Sequence, residues 1–229
     1  MKDFIKNTPV IRTIAKSMYF FMSKTFTTFA GSRNYWDKRY QEGRNSGLGS
    51  YGKLAEFKAD ILNSFVRDNG IESVIEYGCG DGNQLNLSEY SSYIGFDVSH
   101  NAICRCRKLF ENDSSKAFKL VTEYSGERAD LTLSLDVIYH LIEDDIYHGY
   151  MKCLFESSNK FVIIYSSNTS VQEKLQPEHV KHREFTSWID KYAPAWELLQ
   201  HIPNKYPYSG NDLDGSFADF YIYKLLNNN

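Results

Sequence analysis

Between Leu54 and Arg67 the apolar residues Leu54, Phe57, Ile61, Leu62, Phe65 and Val66 fall at helical intervals. Asp68-Asn69-Gly70 then supplies a stop, with Gly in the position that tolerates positive φ. From Ile71 the pattern alternates between short apolar strands and helical runs. Strands are predicted at Ser73–Tyr77, Tyr93–Phe96, Ala117–Val121, Ala129–Leu135 and Phe161–Tyr165, with helices near Leu85, at Asn101–Phe110 and at Asp144–Phe155. Units of this length build a parallel sheet covered by helices on both faces, with binding sites at the carboxyl ends of its strands.

Two stretches break the alternation. Ser32–Gly52 is rich in Gly, Ser, Asn and aromatic residues without helical or strand period, and reads as a loop. In the last third a helix is predicted around Thr186–Lys191, a loop at Ile202–Gly215, and an edge or penultimate strand at Phe217–Leu225. The expected organisation is a helical segment at 1–30, a lid or acceptor-wall loop and helix at 31–70, and a main domain at 71–229 with an acceptor-side insertion near 170–215.

Candidate chemistry concentrates in Glu76-Tyr77-Gly78-Cys79-Gly80-Asp81-Gly82, a strand end followed by a turn with glycine at alternate positions. Glycine turns the chain sharply and lets a ligand approach the backbone with no Cβ in the way. The spacing is GxGxG, not the GxGxxG of dinucleotide sites, and the Lys and Ser/Thr of a phosphate-cradling loop are missing. Nucleotide phosphates are therefore disfavoured. One strand later YIGFDVS ends in Asp97, roughly 20 residues on, where a carboxylate accepts both ribose hydroxyls as a bidentate pair.

With these two strand-end features, Ile71–Tyr165 resembles the class I S-adenosylmethionine-dependent methyltransferases, whose first motif is an acidic residue followed by GxGxG and whose second strand ends in an acidic residue. The resemblance implies an α/β, Rossmann-like, doubly wound seven-stranded sheet, mostly parallel with an antiparallel C-terminal strand, here carrying an N-terminal helical extension. It implies S-adenosylmethionine as cofactor. Gly78, Gly80 and Gly82, with Cys79 in the same loop, would face its methionine and sugar portions, Glu76 would support the methionyl end, and Asp97 would hold the ribose. Glu123 and Tyr124 follow the third strand, where the family places adenine contacts, although TEYSGE lacks the Asp-Ala or Asp-Leu pair common in relatives.

On the acceptor side, ADLTLSLDVIYHL matches the family's fourth strand and its exit, which would set Asp136 and His140 near the departing methyl group. His140 is the candidate general base, because histidine titrates near neutrality; the alternative is a ring that caps or packs over the cofactor. His179 and His182, three apart in PEHVKHREF, can share a helix face, but no Cys or carboxylate spacing completes a metal site, so no metal is expected. With Arg183, whose planar fork suits phosphate or carboxylate, they would grip an anionic or polyhydroxylated acceptor, or else pack at the surface. Tyr35, Trp36, Arg39, Tyr40 and Tyr51 would stack on sugar or aromatic faces, or seal the cofactor pocket.

The chain as a whole resembles bacterial methyltransferases found beside glycan-assembly enzymes. That implies a small-molecule or glycan acceptor and O-methylation of a sugar or phosphosugar. Two other classes stay open: a non-catalytic cofactor-binding or regulatory module that docks a partner through its N-terminal helix, and a nucleic-acid or protein methyltransferase. Against the base-directed enzymes, SLDVIY stands where many of them carry NPPY or DPPY.

Composition narrows the setting. A length of 229 residues suits one domain with a small appendage. With 42% hydrophobic and 24% charged residues the chain is globular, not fibrous or extensively disordered. A formal net charge of -3 gives no overall attraction to a polyanion, so nucleic acid is not an expected partner. Cys79, Cys104, Cys106 and Cys153 show no CxxC pairing, which fits a reducing, cytoplasmic setting. No apolar run reaches the roughly 18 residues of a spanning helix. Residues 1–29 carry Lys2, Lys6, Arg12, Lys16 and Lys24 against Asp3 alone and lack a secretory cleavage pattern. They read as a helix on an anionic membrane surface or a partner, or as one packed on its own domain.

Overall fold

The computed structural model describes residues 29, 31–172, 176–210 and 215–226. Seven strands form one sheet in the order β3-β2-β1-β4-β5-β7-β6. They are β1 (Val74–Tyr77), β2 (Tyr93–Asp97), β3 (Lys116–Leu120), β4 (Ala129–Leu135), β5 (Ser158–Ser166), β6 (Trp196–Ile202) and β7 (Asp219–Leu225). β7 runs antiparallel to both its neighbours, and the pairs among β1 to β5 are parallel. The expected doubly wound, mostly parallel sheet with an antiparallel C-terminal strand is the observed one. Strand order reverses between β1 and β4, whose carboxyl ends open the crevice where such sheets bind ligands.

Among the described residues, five helices accompany the sheet: α1 (Ser32–Gln41), α2 (Gly52–Asp68), α3 (His100–Leu109), α4 (Asp144–Glu156) and α5 (Phe185–Tyr192). On one face Phe57, Leu62 and Val66 of α2 join Ile103 and Cys106 of α3 over Val74, Leu131 and Ile163. On the other, Tyr147, Met151 and Leu154 of α4 and Ile189 of α5 cover Ile75, Val162 and Ile164. Alternate residues of β5 thus enter opposite cores, which is why that strand reads as an unbroken apolar run. Leu62 is wholly buried, and its truncation to Ala would cost about 2–5 kcal/mol. Among the described residues no helix is long and apolar enough to cross a membrane.

Two readings are corrected. The stretch read as a loop opens with α1, whose first residue is held from outside: Ser32 donates from N and Oγ to Glu143 at 2.9 and 2.6 Å. With Tyr35, Trp36 and Tyr40 on it but no apolar stripe, α1 owes its helix to tertiary contacts, which periodicity does not register. β6 escaped notice because Glu197 to His201 are exposed at the sheet edge, so no half-buried alternation shows. α2 packs into the core, and the region near 170–215 contributes α5 and β6 to the sheet and its cover. Of the segment expected at 1–30, only Phe29 is among the described residues.

Candidate active site

β1 delivers the chain into a turn in which Gly78, Gly80 and Gly82 have φ of 86°, 58° and 78°. Two of them also have no room for a side chain. A Cβ on Gly80 would stand 2.4 Å from Ser46 Oγ and 2.9 Å from the Tyr40 hydroxyl, and one on Gly78 would stand 2.4 Å from Val137 Cγ2. Asp97 ends β2 beside this loop, its Oδ2 accepting the Gly80 N–H at 3.0 Å and its Oδ1 the Ser99 N–H at 2.8 Å. Each oxygen keeps lone-pair capacity for a ligand hydroxyl. Burial pushes the Asp97 carboxyl up to about 6, against the Ser99 and Gly80 amides. Glu76, also buried, accepts the Tyr93 hydroxyl at 2.6 Å, and burial pushes it up to about 7, against Tyr93 and Lys58. Two buried carboxylates at a bare-backbone turn fit a ligand that brings hydroxyls and positive charge, as a sulfonium nucleoside does.

Residues 37–51 strap across the loop. Asp37 Oδ1 accepts the Ser99 hydroxyl at 2.8 Å, and Asp81 Oδ2 accepts both the Ser46 N–H and the Tyr51 hydroxyl at 2.9 Å. Ser46 Oγ accepts the Asp81 N–H at 3.0 Å, and Asn83 donates to the Ser50 carbonyl at 2.6 Å. Tyr51 therefore seals the glycine loop, and its reading as an acceptor contact gives way to that role.

The exit of β4 is strained. Asp136, with φ of 60°, is the one non-glycine residue at positive φ among those described. Its Oδ2 pairs with Lys58 Nζ at 2.6 Å and its Oδ1 accepts the Tyr139 hydroxyl at 2.8 Å. Both oxygens are engaged within the fold, which makes Asp136 an anchor for the turn. His140 follows in a short 3₁₀ turn, Ile138–His140. Its Nδ1 lies 2.8 Å from the His179 carbonyl, which can only accept, so Nδ1 carries the proton and Nε2 is the basic nitrogen. Burial pushes His140 down to about 4, the His179 carbonyl and Asp136 opposing and Arg39 reinforcing. His179 is pushed down to about 3 by burial, then by His140, Arg39 and Arg44. Both imidazoles are neutral at physiological pH.

Four residues named from sequence meet here. Tyr35 stacks on His179 at 4.2 Å, His179 on His140 at 5.4 Å, and Trp36 meets His140 edge-on at 4.9 Å. His182 does not join them: residues 177–184 are not helical, and its Nδ1 lies 2.7 Å from Ser167 Oγ, with Phe217 edge-on at 4.8 Å. The shared helix face expected for the two histidines is therefore absent. Arg183 donates to Asp144 at 2.5 Å and to the Leu141 and Ile142 carbonyls at 2.8 and 2.9 Å, which makes it a brace for the turn after His140 and not an acceptor grip. Glu123 accepts the Leu120 N–H at 2.6 Å and closes its own turn, while Tyr124 packs on Phe96 and Tyr77. Among the described residues no group of three or more His, Cys, Asp or Glu side chains is placed to hold a metal ion.

The family model described as a methyltransferase domain matches residues 52–207, more than half of the chain. The chain belongs to this methyltransferase family. No curated protein matches it in sequence. Among solved structures, the methyltransferase is similar to the N-methyltransferase NodS of Bradyrhizobium japonicum, crystallised with S-adenosyl-L-homocysteine. That match has a TM-score of 0.66 and 14% identity, over 85% of this chain and 98% of that one. It is similar also to the magnesium protoporphyrin IX methyltransferase ChlM of Synechocystis, with a TM-score of 0.61 and 11% identity over 84% and 97% of the two chains. The methyltransferase domain of bacterial CtHen1 matches with a TM-score of 0.59 and 18% identity over 79% and 100%. At these identities the likeness is one of fold.

Two residues that hold the β4 exit and the glycine loop were not singled out from the sequence. Lys58 had a signal: it is a charge set within the apolar stripe of Leu54, Ile61 and Leu62, where it is wholly buried. Ser46 had none, because its role depends on how residues 42–51 fold back over Gly80.

Proposed function

We propose that this methyltransferase transfers a methyl group from S-adenosylmethionine to a hydroxyl of a sugar, phosphosugar or related glycan component, with His140 accepting the proton. Bound at the glycine loop, the cofactor supplies a methyl carbon whose bond to a cationic sulfur breaks as the acceptor oxygen attacks. Gly78, Gly80 and Gly82 give it backbone to lie against, Asp97 takes ribose hydroxyls, and Glu76 adds negative charge beneath. Crystallisation of NodS and ChlM with S-adenosylhomocysteine or S-adenosylmethionine supports this choice of donor.

The observation that carries the oxygen-directed reading is the bond from His140 Nδ1–H to the His179 carbonyl. It fixes the tautomer and leaves Nε2 to take a proton as the hydroxyl becomes an ether. The acceptor oxygen gains carbon, loses its proton to Nε2, and the electron pair of the broken bond stays on sulfur. Tyr35 and Trp36 supply the aromatic lining that suits a sugar ring. Fold alone leaves the acceptor open, since the similar structures are named for a porphyrin, for N-methylation and for small RNA.

The test is methyl transfer from label-bearing S-adenosylmethionine to a panel of sugars, sugar phosphates and amines. O-methylated product is expected, with turnover in His140→Ala lower by about 10²–10⁴ and S-adenosylhomocysteine affinity retained. Transfer to nitrogen alone, or undiminished turnover in the variant, would overturn the assignment.

A further inference from the structure

Arg39 stands in the acceptor wall with no acidic partner among the described residues. Its guanidinium carbon lies 5.5 Å from the centre of the Trp36 ring, which itself meets His140 at 4.9 Å. Its Nε donates to the Asn45 carbonyl at 2.7 Å, and its Nη1 reaches the Tyr35 hydroxyl at 3.4 Å, a long contact easily exchanged for a better acceptor. On the side of Nη2 lies Gly47, where even an added Cβ would stay 3.7 Å away. Among the described residues, no carboxylate comes within ion-pair distance of Arg39.

Several neighbouring cations among the described residues are committed. Arg44 pairs with Glu42 at 2.5 Å, Lys58 with Asp136, and Lys181 and Arg183 with Asp144. Arg105 donates to the carbonyls of Tyr40 and Arg44. The cations that act on His179 are Arg39 and Arg44. Asp136, which faces His140, is already matched by Lys58. A positive guanidinium beside two neutral imidazoles draws an anion into the site, and arginine's fork suits the paired oxygens of phosphate or carboxylate.

We infer that Arg39 docks an anionic group of the acceptor, phosphate or carboxylate, next to His140, so that the methylated hydroxyl belongs to a negatively charged molecule. The inference rests on the reading of the glycine loop as the S-adenosylmethionine site, and it moves anion recognition from Arg183 to Arg39.

Full-length protein saturated with S-adenosylhomocysteine is titrated with orthophosphate and, separately, with acetate, following the histidine ring signals of His140 and His179 by NMR. Saturable shifts are expected in the wild type, and the stronger ligand identifies phosphate or carboxylate as the docked group. Arg39→Gln should weaken that binding about tenfold or more, Arg39→Lys less, and the exposed neighbour variant Lys38→Gln not at all. No shift with either anion, or equal binding in Arg39→Gln that still binds S-adenosylhomocysteine, would overturn the docking. A wild type that does not bind S-adenosylhomocysteine would instead remove the cofactor reading beneath it. Arg39→Lys keeps the charge, so it decides the matter if Arg39→Gln fails to fold.

Discussion

Lys58 places its ammonium 2.6 Å from the carboxylate of Asp136, joining the core helix α2 to the strained turn that carries His140. The lysine is wholly buried, so neither partner is easily replaced alone. Removing one member of a buried pair costs about 3–5 kcal/mol, because a charge is left uncompensated. Lys58→Met and Asp136→Asn should each destabilise on this scale in urea unfolding. The double variant should lose much less than the sum, a coupling that an unimportant contact would not produce.

The pH dependence of stability separates Glu76 from His140. Glu76 rises from 4.5 to about 7 on folding, so the folded state binds the extra proton. Its contribution is fully present below about 4.5 and is lost as pH rises towards 7, with a span on the order of 3 kcal/mol. His140 falls from 6.5 to about 4, so its contribution is present above 6.5 and is lost as pH falls towards 4. Thermal unfolding across pH 4 to 8 checks both. Relative to wild type, Glu76→Gln should gain stability as pH rises, and His140→Gln should gain it as pH falls.

Gly80→Ala addresses the loop itself. The new methyl would meet Ser46 Oγ at 2.4 Å in a left-handed conformation, so the strap or the loop must move. We expect a destabilisation of about 1–3 kcal/mol and S-adenosylhomocysteine affinity reduced at least about tenfold. Gly126→Ala, also at positive φ but with open space around it, should lose stability without losing affinity.

Arg183→Gln removes donors from Asp144 and from the Leu141 and Ile142 carbonyls. About 1–3 kcal/mol of stability should go with them. Because Arg183 braces the turn from outside, orthophosphate binding to the S-adenosylhomocysteine complex should persist, unlike in Arg39→Gln. Equal losses in the two variants would return anion recognition to Arg183.

Six strands of the sheet and the glycine loop were legible because local signals determine them: strand periods, glycine spacing, and an acid one strand later; β6, exposed at the edge, carried no such signal. The acceptor side was legible only in part. Tyr35, Trp36, His140 and His179 were recognisable by residue type, and they meet because α1 and the loop before α5 converge on the β4 exit. What sets Arg183, Tyr51 and His182 apart from them is their partners: Asp144, Asp81 and Ser167 lie 15 to 39 residues away in the chain. No pattern in a single sequence specifies such pairings. α1 was missed for the same reason, as its anchor, Glu143, is 111 residues distant from Ser32.

The most direct test is calorimetric titration of S-adenosylhomocysteine into the wild type and into Asp97→Ala, with folding of the variant checked by unfolding. Saturable binding at one site per chain is expected for the wild type, weakened at least about tenfold when the Asp97 carboxylate is removed. No binding by the wild type, or equal binding by the two proteins, would contradict the assignment of the Glu76–Gly82 loop and Asp97 as the methyl-donor site.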